Sequence, residues 1–461
     1  MVWYRHDLRV ADNPALYAAA QRGPVTAVFV VTRGQWSSHD VGAPRLAFLA
    51  RTLRELHRDL AQLGIVLHFL QADEFAGVPQ VLEEFARQQN ITRCYFNAEY
   101  GWNERLRDKA VVDTLLAAGV DVQRSHGGVT LAPGEVRTLK GEPFKVFTPF
   151  KRAWLQRVQP QMLEPLPLPS AQAAPFKGEF ELPGFADIDE GLFKTLWPGG
   201  EAAAHQRLEA FASDALADYS EQRDIPALPG TSGLSAYLSV GAVSANQCLA
   251  AAYQRRAKVA DPNGVDTWVS ELIWREFYRH VLHLFPHVSR NRSFRREMDR
   301  LPWRHDPEAL AAWQAGRTGY PLVDAAMRQL AATGWMHNRL RMVVAMFLTK
   351  HLLLDWRHGE CFFMQQLVDG DFASNNGGWQ WSASTGTDAA PYFRVFNPAS
   401  QGQKFDPRGE FTRQYLPELA DVPEKFLYEP HLYSQDLDYP APIVDHKQAR
   451  LRAIDTFKSL G

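Results

Sequence analysis

Cysteine is scarce in this chain. Cys94, Cys248 and Cys361 are the only three in 461 residues, with no CxxC spacing, which excludes a disulfide-stapled scaffold and suits a reducing compartment. Long apolar runs are missing as well. No stretch reaches the roughly 18 uninterrupted apolar residues of a membrane-spanning helix, and the opening MVWYRHDLRV goes straight into charge with no apolar leader segment. The expectation is a cytoplasmic protein that engages no membrane. Net charge is small, a formal -2, which does not advertise a nucleic-acid partner, although a global sum hides a local basic face. Catalytic signatures are lacking too: no Walker A loop, no HExxH and no GxSxG, so hydrolysis and phosphoryl transfer have no foothold. His280, His283 and His287 invite a metal reading. Pro286 interrupts the helix between the last two and no cysteine or acid joins them, so no metal is expected.

What is present is the composition of an ordinary globular protein, 46% hydrophobic and 22% charged, in a chain long enough for two domains. Up to about residue 128, short β-branched runs alternate with helical ones. Residues 25–31, 65–70, 92–97 and 120–124 read as buried strands, and 45–63, 78–88 and 104–118 as helices, a pattern that implies a parallel sheet covered on both faces. Where a GxGxxG would follow the first strand stands Arg5-His6-Asp7-Leu8-Arg9, so the sheet is not expected to hold a dinucleotide in the usual way. A helix at 148–157, with Pro149 in its first turn, leads into a proline-rich passage, 160–183, that reads as an extended linker. From about residue 199 the periodicity is helical throughout. The division expected is an α/β domain at 1–130, a linker at 131–198 and an all-α domain at 199–461.

Thirteen tryptophans are the informative excess, since tryptophan fills cores but also stacks on flat ligands and bases. In SELIWREFYRHVL, Glu271, Trp274, Arg275 and Tyr278 recur at i, i+3, i+4 and i+7 and share one helix face. That face reads either as a contact surface for bases and phosphates or as a solvated amphipathic stripe with an internal Glu–Arg pair. In GWMHNRLRMVVAMF, Asn338, Arg341 and Met342 lie close together, as a polar hook beside a charge or as a capped helix with a core methionine. Thr231, Ser232, Gly233, Leu234 and Ser235 stand at a helix start, where hydroxyls and free N–H groups hold phosphate or simply cap. Tyr219 lies just upstream.

The densest stretch is 369–394, DGDFASNNGGWQWSASTGTDAAPYFR. Asn375, Asn376, Gly377 and Gly378 are expected to break any helix and let backbone approach something flat. Trp379 and Trp381 sit two apart, so that one faces inward and the other a cavity. A glycine-rich turn with tryptophans filling core is the plain alternative. Asp369, Asp371 and Asp388 argue against it, because unpaired acids rarely crowd aromatic core.

Taken together, these stretches resemble the photolyase/cryptochrome family, and within it the bacterial class I cyclobutane pyrimidine dimer photolyases. The matching text includes VWYRHDLRVADNPAL, NERLRD, KVFTPFKRAW, WVSELIWREFYRH, GRTGYPLVDAAMRQL, TGWMHNRLRM, the tryptophan-rich stretch above and PIVDHKQAR. The resemblance implies a Rossmann-like α/β domain for an antenna pigment and a helical domain holding FAD. Tyr219, Thr231 to Ser235, Arg341, Asp369, Gly370, Asp371 and Asn375 would contact FAD. Asn375 would face flavin N5, where a neutral amide suits the anionic FADH⁻ working state. Gly233, where relatives carry arginine, offers only its backbone. Glu271, Trp274, Asn338, Met342 and Trp381 would receive a dimer flipped out of DNA, with Arg223, Arg275, Tyr278, Arg339 and Gln401 on the strand. Trp303, Trp356 and Trp379 match the family's electron relay, although buried tryptophan needs no electron to justify it.

His39, Asn103 and Glu104, with Arg290, resemble a pocket for 5,10-methenyltetrahydrofolate. Ser289 and Arg290 stand where close relatives present cysteine and lysine, and a deazaflavin is the alternative antenna. The implied activity is light-driven splitting of cyclobutane pyrimidine dimers in DNA by electron transfer from FADH⁻, by a monomer with no obligate protein partner. Two alternatives remain. One is a blue-light photoreceptor of cryptochrome type. The other is a (6-4) photolyase, which needs a histidine pair where this chain has Asn338 and Met342.

Overall fold

A computed structural model describes residues 1–434 and 436–460. Within them the chain packs as two compact units, Met1–Ser220 with Ser232–Ser289, and Glu221–Thr231 with Arg290–Gly461. These units are drawn differently from the stretches expected, because helices Glu201–Asp214, Ser235–Val240, Ala245–Arg256 and Asn263–Leu284 fall in the unit that holds the sheet.

The first unit is built on a five-stranded sheet of order β3-β2-β1-β4-β5, with β1 at Val2–Tyr4, β2 at Ala27–Val31, β3 at Leu67–Gln71, β4 at Arg93–Asn97 and β5 at Asp121–Ser125. All pairs are parallel. β1 and β2 are buried along their whole length, as a central strand covered on both faces must be. The edge strand β5 reads DVQRS and is largely exposed. Strand order reverses between β1 and β4, the place where α/β sheets open a crevice at their carboxyl ends. Here side chains of the chain itself occupy it. Arg5 lies over Trp3, 3.9 Å from the ring centroid, and donates to the Asn97 carbonyl. Arg107 bonds Glu99 at 2.5 Å and Asp108 at 2.7 Å.

The expected helices appear at Ala43–Gln62, Val78–Gln88, Trp102–Ala117 and Phe147–Arg157. The proline-rich passage is tied to its own unit, where Gln172 exchanges hydrogen bonds with Val25, just before β2, at 2.7 and 2.6 Å; beyond it, Asp187 pairs with Arg33. Helix Asn263–Leu284 ends before Pro286, as the proline requires.

The second unit is helical around a large apolar core that includes Trp313, Val344, Phe347, Trp356, Phe363 and Trp379, with a smaller cluster of Met298, Leu301, Leu353 and Phe457 beside it. One local expectation fails. Asn375 to Gly378 do not break a helix but lie inside one, Phe372–Ser382. Asp371 caps its start, accepting from the Ser374 N–H and hydroxyl, and tertiary bonds described below supply what propensity withholds. Among the described residues no helix is long and apolar enough to cross a membrane.

Candidate active site

In the second unit the polar residues singled out from sequence converge on helix Phe372–Ser382 and its neighbours. The side chain of Asp369 is almost fully buried and pairs with Arg341 at 2.8 Å. Arg341 also donates Nε–H to the Met336 carbonyl at 2.8 Å. The second carboxylate oxygen of Asp369, Oδ1, is buried without a protein partner, an arrangement that is costly unless a ligand donates to it. Asn375 donates to the Glu360 carbonyl at 2.9 Å, and Asn376 donates to the Glu360 carboxylate at 3.3 Å while accepting from Gln380 at 2.9 Å. Glu360, on helix Trp356–Gln366, was not found from sequence. A buried acid in an amphipathic helix leaves no local signal. Gly370 is buried beside Met364.

Trp379 is buried and Trp381 half-buried, as the two-residue spacing implied. Trp379 packs against helix Trp356–Gln366, meeting Phe363 at 84°, and a Cβ at Gly359 would come within 2.1 Å of its ring. Trp356 belongs to the same apolar core, and Trp303 packs against it. The Arg357 guanidinium lies 4.7 Å from the Trp356 ring centroid.

Asn338 is exposed and Met342 half-buried at the start of helix Asn338–Met346. His337 caps that helix through a 3.2 Å bond from the Arg339 N–H, and burial pushes its pKa down to about 4. Arg339 bonds Asp224 at 2.7 Å, and Arg223 lies 3.9 Å from the same carboxylate. Arg339 also stacks over Phe405, one turn from Gln401 on helix Pro398–Phe405. The structure thus groups Arg223 and Arg339 through Asp224, a link absent from the sequence reading. Thr231 is half-buried in this unit.

In the first unit, Glu271, Trp274, Arg275 and Tyr278 are all half-buried, alternating with the buried Leu272, Ile273, Glu276 and Phe277. They do share one helix face. Arg275 is engaged inside the unit, donating to the carbonyls of Gly128 and Leu238 at 3.0 Å each. Trp274 stacks on Phe147 with centroids 3.7 Å apart and planes 10° off parallel. Tyr219 is buried against Phe211. Ser232, Gly233 and Leu234 precede the short helix Ser235–Val240. Gly233 has φ +58°, a left-handed backbone conformation that favours glycine.

His39, Asn103 and Glu104 are also brought together in this unit. Asn103 and Gln35 place their amides 2.9 and 3.0 Å from His39 Nε2, and Glu104 lies 3.8 Å from Nδ1. Phe75 meets the His39 ring edge to face at 5.6 Å. Gln35 and Phe75 were missed because a lone glutamine and a phenylalanine opening the single turn Phe75–Gly77 carry no pattern. Arg290 is exposed and belongs to the other unit. His280 Nε2 lies 2.9 Å from the Leu131 carbonyl, within hydrogen-bonding distance inside its own unit.

A doubly wound parallel sheet, a helical unit and a buried carboxylate with one unsatisfied oxygen define an α/β-plus-helical protein with a buried acceptor suited to a polar ligand. Comparison with known proteins resolves the class. Residues 1–170 match the family model described as DNA photolyase, and residues 268–459 match the FAD binding domain of DNA photolyase. The deoxyribodipyrimidine photo-lyase of Escherichia coli K12 is 44% identical over 468 residues, covering 100% of this chain and 98% of that protein. Among solved structures, a class III photolyase from Agrobacterium tumefaciens has a TM-score of 0.88 at 34% identity, covering 100% of this chain and 97% of that one. A cryptochrome from Synechocystis has a TM-score of 0.87 at 28% identity, covering 99% and 98%. The chain belongs to the DNA photolyase family. FAD is its cofactor, and the residues fit it: Asp369 Oδ1 is the buried acceptor that a polar ligand would satisfy.

Proposed function

We propose that this protein repairs cyclobutane pyrimidine dimers in DNA under light. The observation that carries the reading is the relation along the whole chain to relatives named deoxyribodipyrimidine photo-lyase, 44% identical in the Escherichia coli case. When bound in reduced form, FAD supplies the light-excited electron that opens the cyclobutane ring and receives it back, with no net redox change. The protein's part is binding and alignment. Arg341 and Asp369 hold the cofactor, with Tyr219, Thr231 to Ser235, Gly370 and Asp371. Asn375, tethered through its Nδ2 to Glu360, presents a neutral amide that neither repels an anion nor hands it a proton.

For the dimer, Trp274 and Trp381 offer flat faces, Glu271 and Asn338 hydrogen-bonding groups for base edges, and Met342 a soft apolar contact. Arg223 and Arg339, sharing Asp224, hold the strand by its phosphates, with Gln401 and Tyr278. Arg275 is assigned there too, although its guanidinium also holds two carbonyls of its own unit. Trp379, Trp356 and Trp303, in or against one apolar core, form the chain of oxidisable rings through which electrons enter. His39, Asn103, Glu104 and Arg290 hold 5,10-methenyltetrahydrofolate as antenna. A monomer in the cytoplasm, divided into antenna and catalytic domains, completes the reading. The likeness to a cryptochrome, at 28% identity, supports a blue-light receptor as the second reading.

The test mixes photoreduced protein with an oligonucleotide carrying one thymine cyclobutane dimer and follows recovery of thymine absorbance in near-UV light and in darkness. Recovery should require light and be lost in Trp274→Ala and Glu271→Ala. Added methenyltetrahydrofolate should lower the light dose needed, and an unchanged dose would remove the antenna assignment. Absence of recovery with the reduced flavin confirmed by its spectrum would sink repair and leave the receptor reading.

A further inference from the structure

The closest ring pair around the proposed lesion-binding helix is one that two free rings would not choose. Phe147 and Trp274 lie nearly parallel at a centroid separation of 3.7 Å, a stack closer than the roughly 4.5–7 Å at which aromatic pairs usually sit. Isolated pairs favour offset or edge-to-face geometry. The scaffold therefore imposes this stack, and its anchors are visible. Phe147 opens the helix Phe147–Arg157. One turn on, Lys151 donates to Ser270 at 2.5 Å, and Phe150 packs against Phe277 and His280 at 5.1 and 5.0 Å. Two turns on, Trp154 donates its indole N–H to Glu276 at 2.6 Å.

Glu276 is 2% exposed. Its carboxylate also accepts from the backbone N–H groups of Thr130 and Leu131 at 2.7 and 3.0 Å. A buried acid with three donors is satisfied, and it locks the two helices in register. The positions 147, 150, 151 and 154 form one face of their helix, laid along 270, 274, 277 and 280 of the other.

We infer that Phe147 is a positioning residue for dimer recognition: a rigid backstop that covers one face of Trp274 and fixes the indole plane against which the flipped pyrimidines lie. This rests on the reading that Trp274 contacts the dimer. Phe147 is 8% exposed, and its ring also meets Phe277, 5.9 Å away. Phe277 meets the Trp274 ring at 75° and 5.7 Å. With Phe147 against its face, Phe277 at a steep angle and Tyr278 5.5 Å away at 34°, the indole is braced by three rings, and at most one face remains for a base. A ring held in place before binding loses no further freedom when the base arrives.

The test is a titration in darkness of FAD-loaded protein with two oligonucleotides of one sequence, with and without a single thymine dimer. Its readout is the ratio of the two affinities. Phe147→Ala should lower that ratio about tenfold, in the range of a lost aromatic pair. Phe147→Tyr should restore it, and Phe147→Leu, which refills volume without a flat ring, should not. In a Trp274→Ala background, Phe147→Ala should cost nothing more, a coupling that loose packing alone would not produce. Full restoration by leucine, or a normal ratio in Phe147→Ala and Phe147→Leu while Trp274→Ala lowers it, would overturn the inference. A normal ratio in Trp274→Ala would instead refute the underlying placement of Trp274 and the inference with it.

Discussion

Asp369 shows how a single side chain carries the cofactor assignment. One carboxylate oxygen is committed to Arg341 and the other is buried with no protein donor. Asp369→Asn removes the charge at nearly constant volume and leaves Arg341 a neutral amide oxygen in place of its ion pair, beside the Met336 carbonyl. Breaking such a buried pair costs about 3 kcal/mol. The expected outcome is a lower urea midpoint for the apoprotein together with a lower flavin content after purification. An unchanged midpoint and full flavin content would detach Asp369 from the site. At this scale the sequence was informative about which residue types matter and silent about their partners. Asp369, Arg341, Asn375 and Trp381 stood out by crowding and spacing, whereas Glu360, Asp224, Gln35 and Phe147 did not, since nothing within their own segments distinguishes them from core or surface residues.

At the scale of elements, the helix Phe372–Ser382 is the one that local rules misjudged. Two adjacent asparagines and two adjacent glycines argue against helix, and the capping carboxylate of Asp371 with the Glu360 bonds outweighs them. The glycines of this region are not equivalent. A Cβ at Gly378 meets nothing within 4 Å, while one at Gly359 meets the Trp379 ring at 2.1 Å. Gly378→Ala should therefore raise stability by about 0.5–1 kcal/mol through the entropy of the unfolded chain. Gly359→Ala should lower it by about 1–3 kcal/mol by overpacking. Thermal midpoints of the two variants, moving in opposite directions, check both. Elsewhere the helices and strands lie within a few residues of their sequence-based bounds, because periodicity of 3.6 or 2 is written locally.

For the whole molecule, buried neutral histidines set a common acid response. Burial holds His280, His283 and His337 down at about 4 and His351 at about 3, against a usual value near 6.5. Between pH 6.5 and 4 the unfolded chain binds protons at these positions and the folded one does not. Stability contributed by each neutral imidazole is therefore present above the unfolded pKa and falls as pH drops through that window. Asp59, raised by burial to about 6, works in the opposite sense over part of the same range. A difference measurement isolates the histidine effect. His337→Asn keeps an N-cap side chain and removes one titrating group, so the variant should lose less stability than wild type between pH 7 and pH 4, read from denaturant midpoints. Parallel pH profiles would refute the assignment.

The sequence by itself determined the alternation that makes a parallel sheet, the helical remainder, and the chemical types gathered around positions 271–278, 338–342 and 369–381. Each is a property of neighbours along the chain, where side-chain period and spacing are decided. Tertiary structure alone decided that Arg339 meets Asp224, that Glu360 grips Asn375 and Asn376, that Glu276 binds Trp154, and that Phe147 lies on Trp274. Those pairings join segments distant in sequence. Their geometry follows from how whole helices pack, which no local pattern encodes.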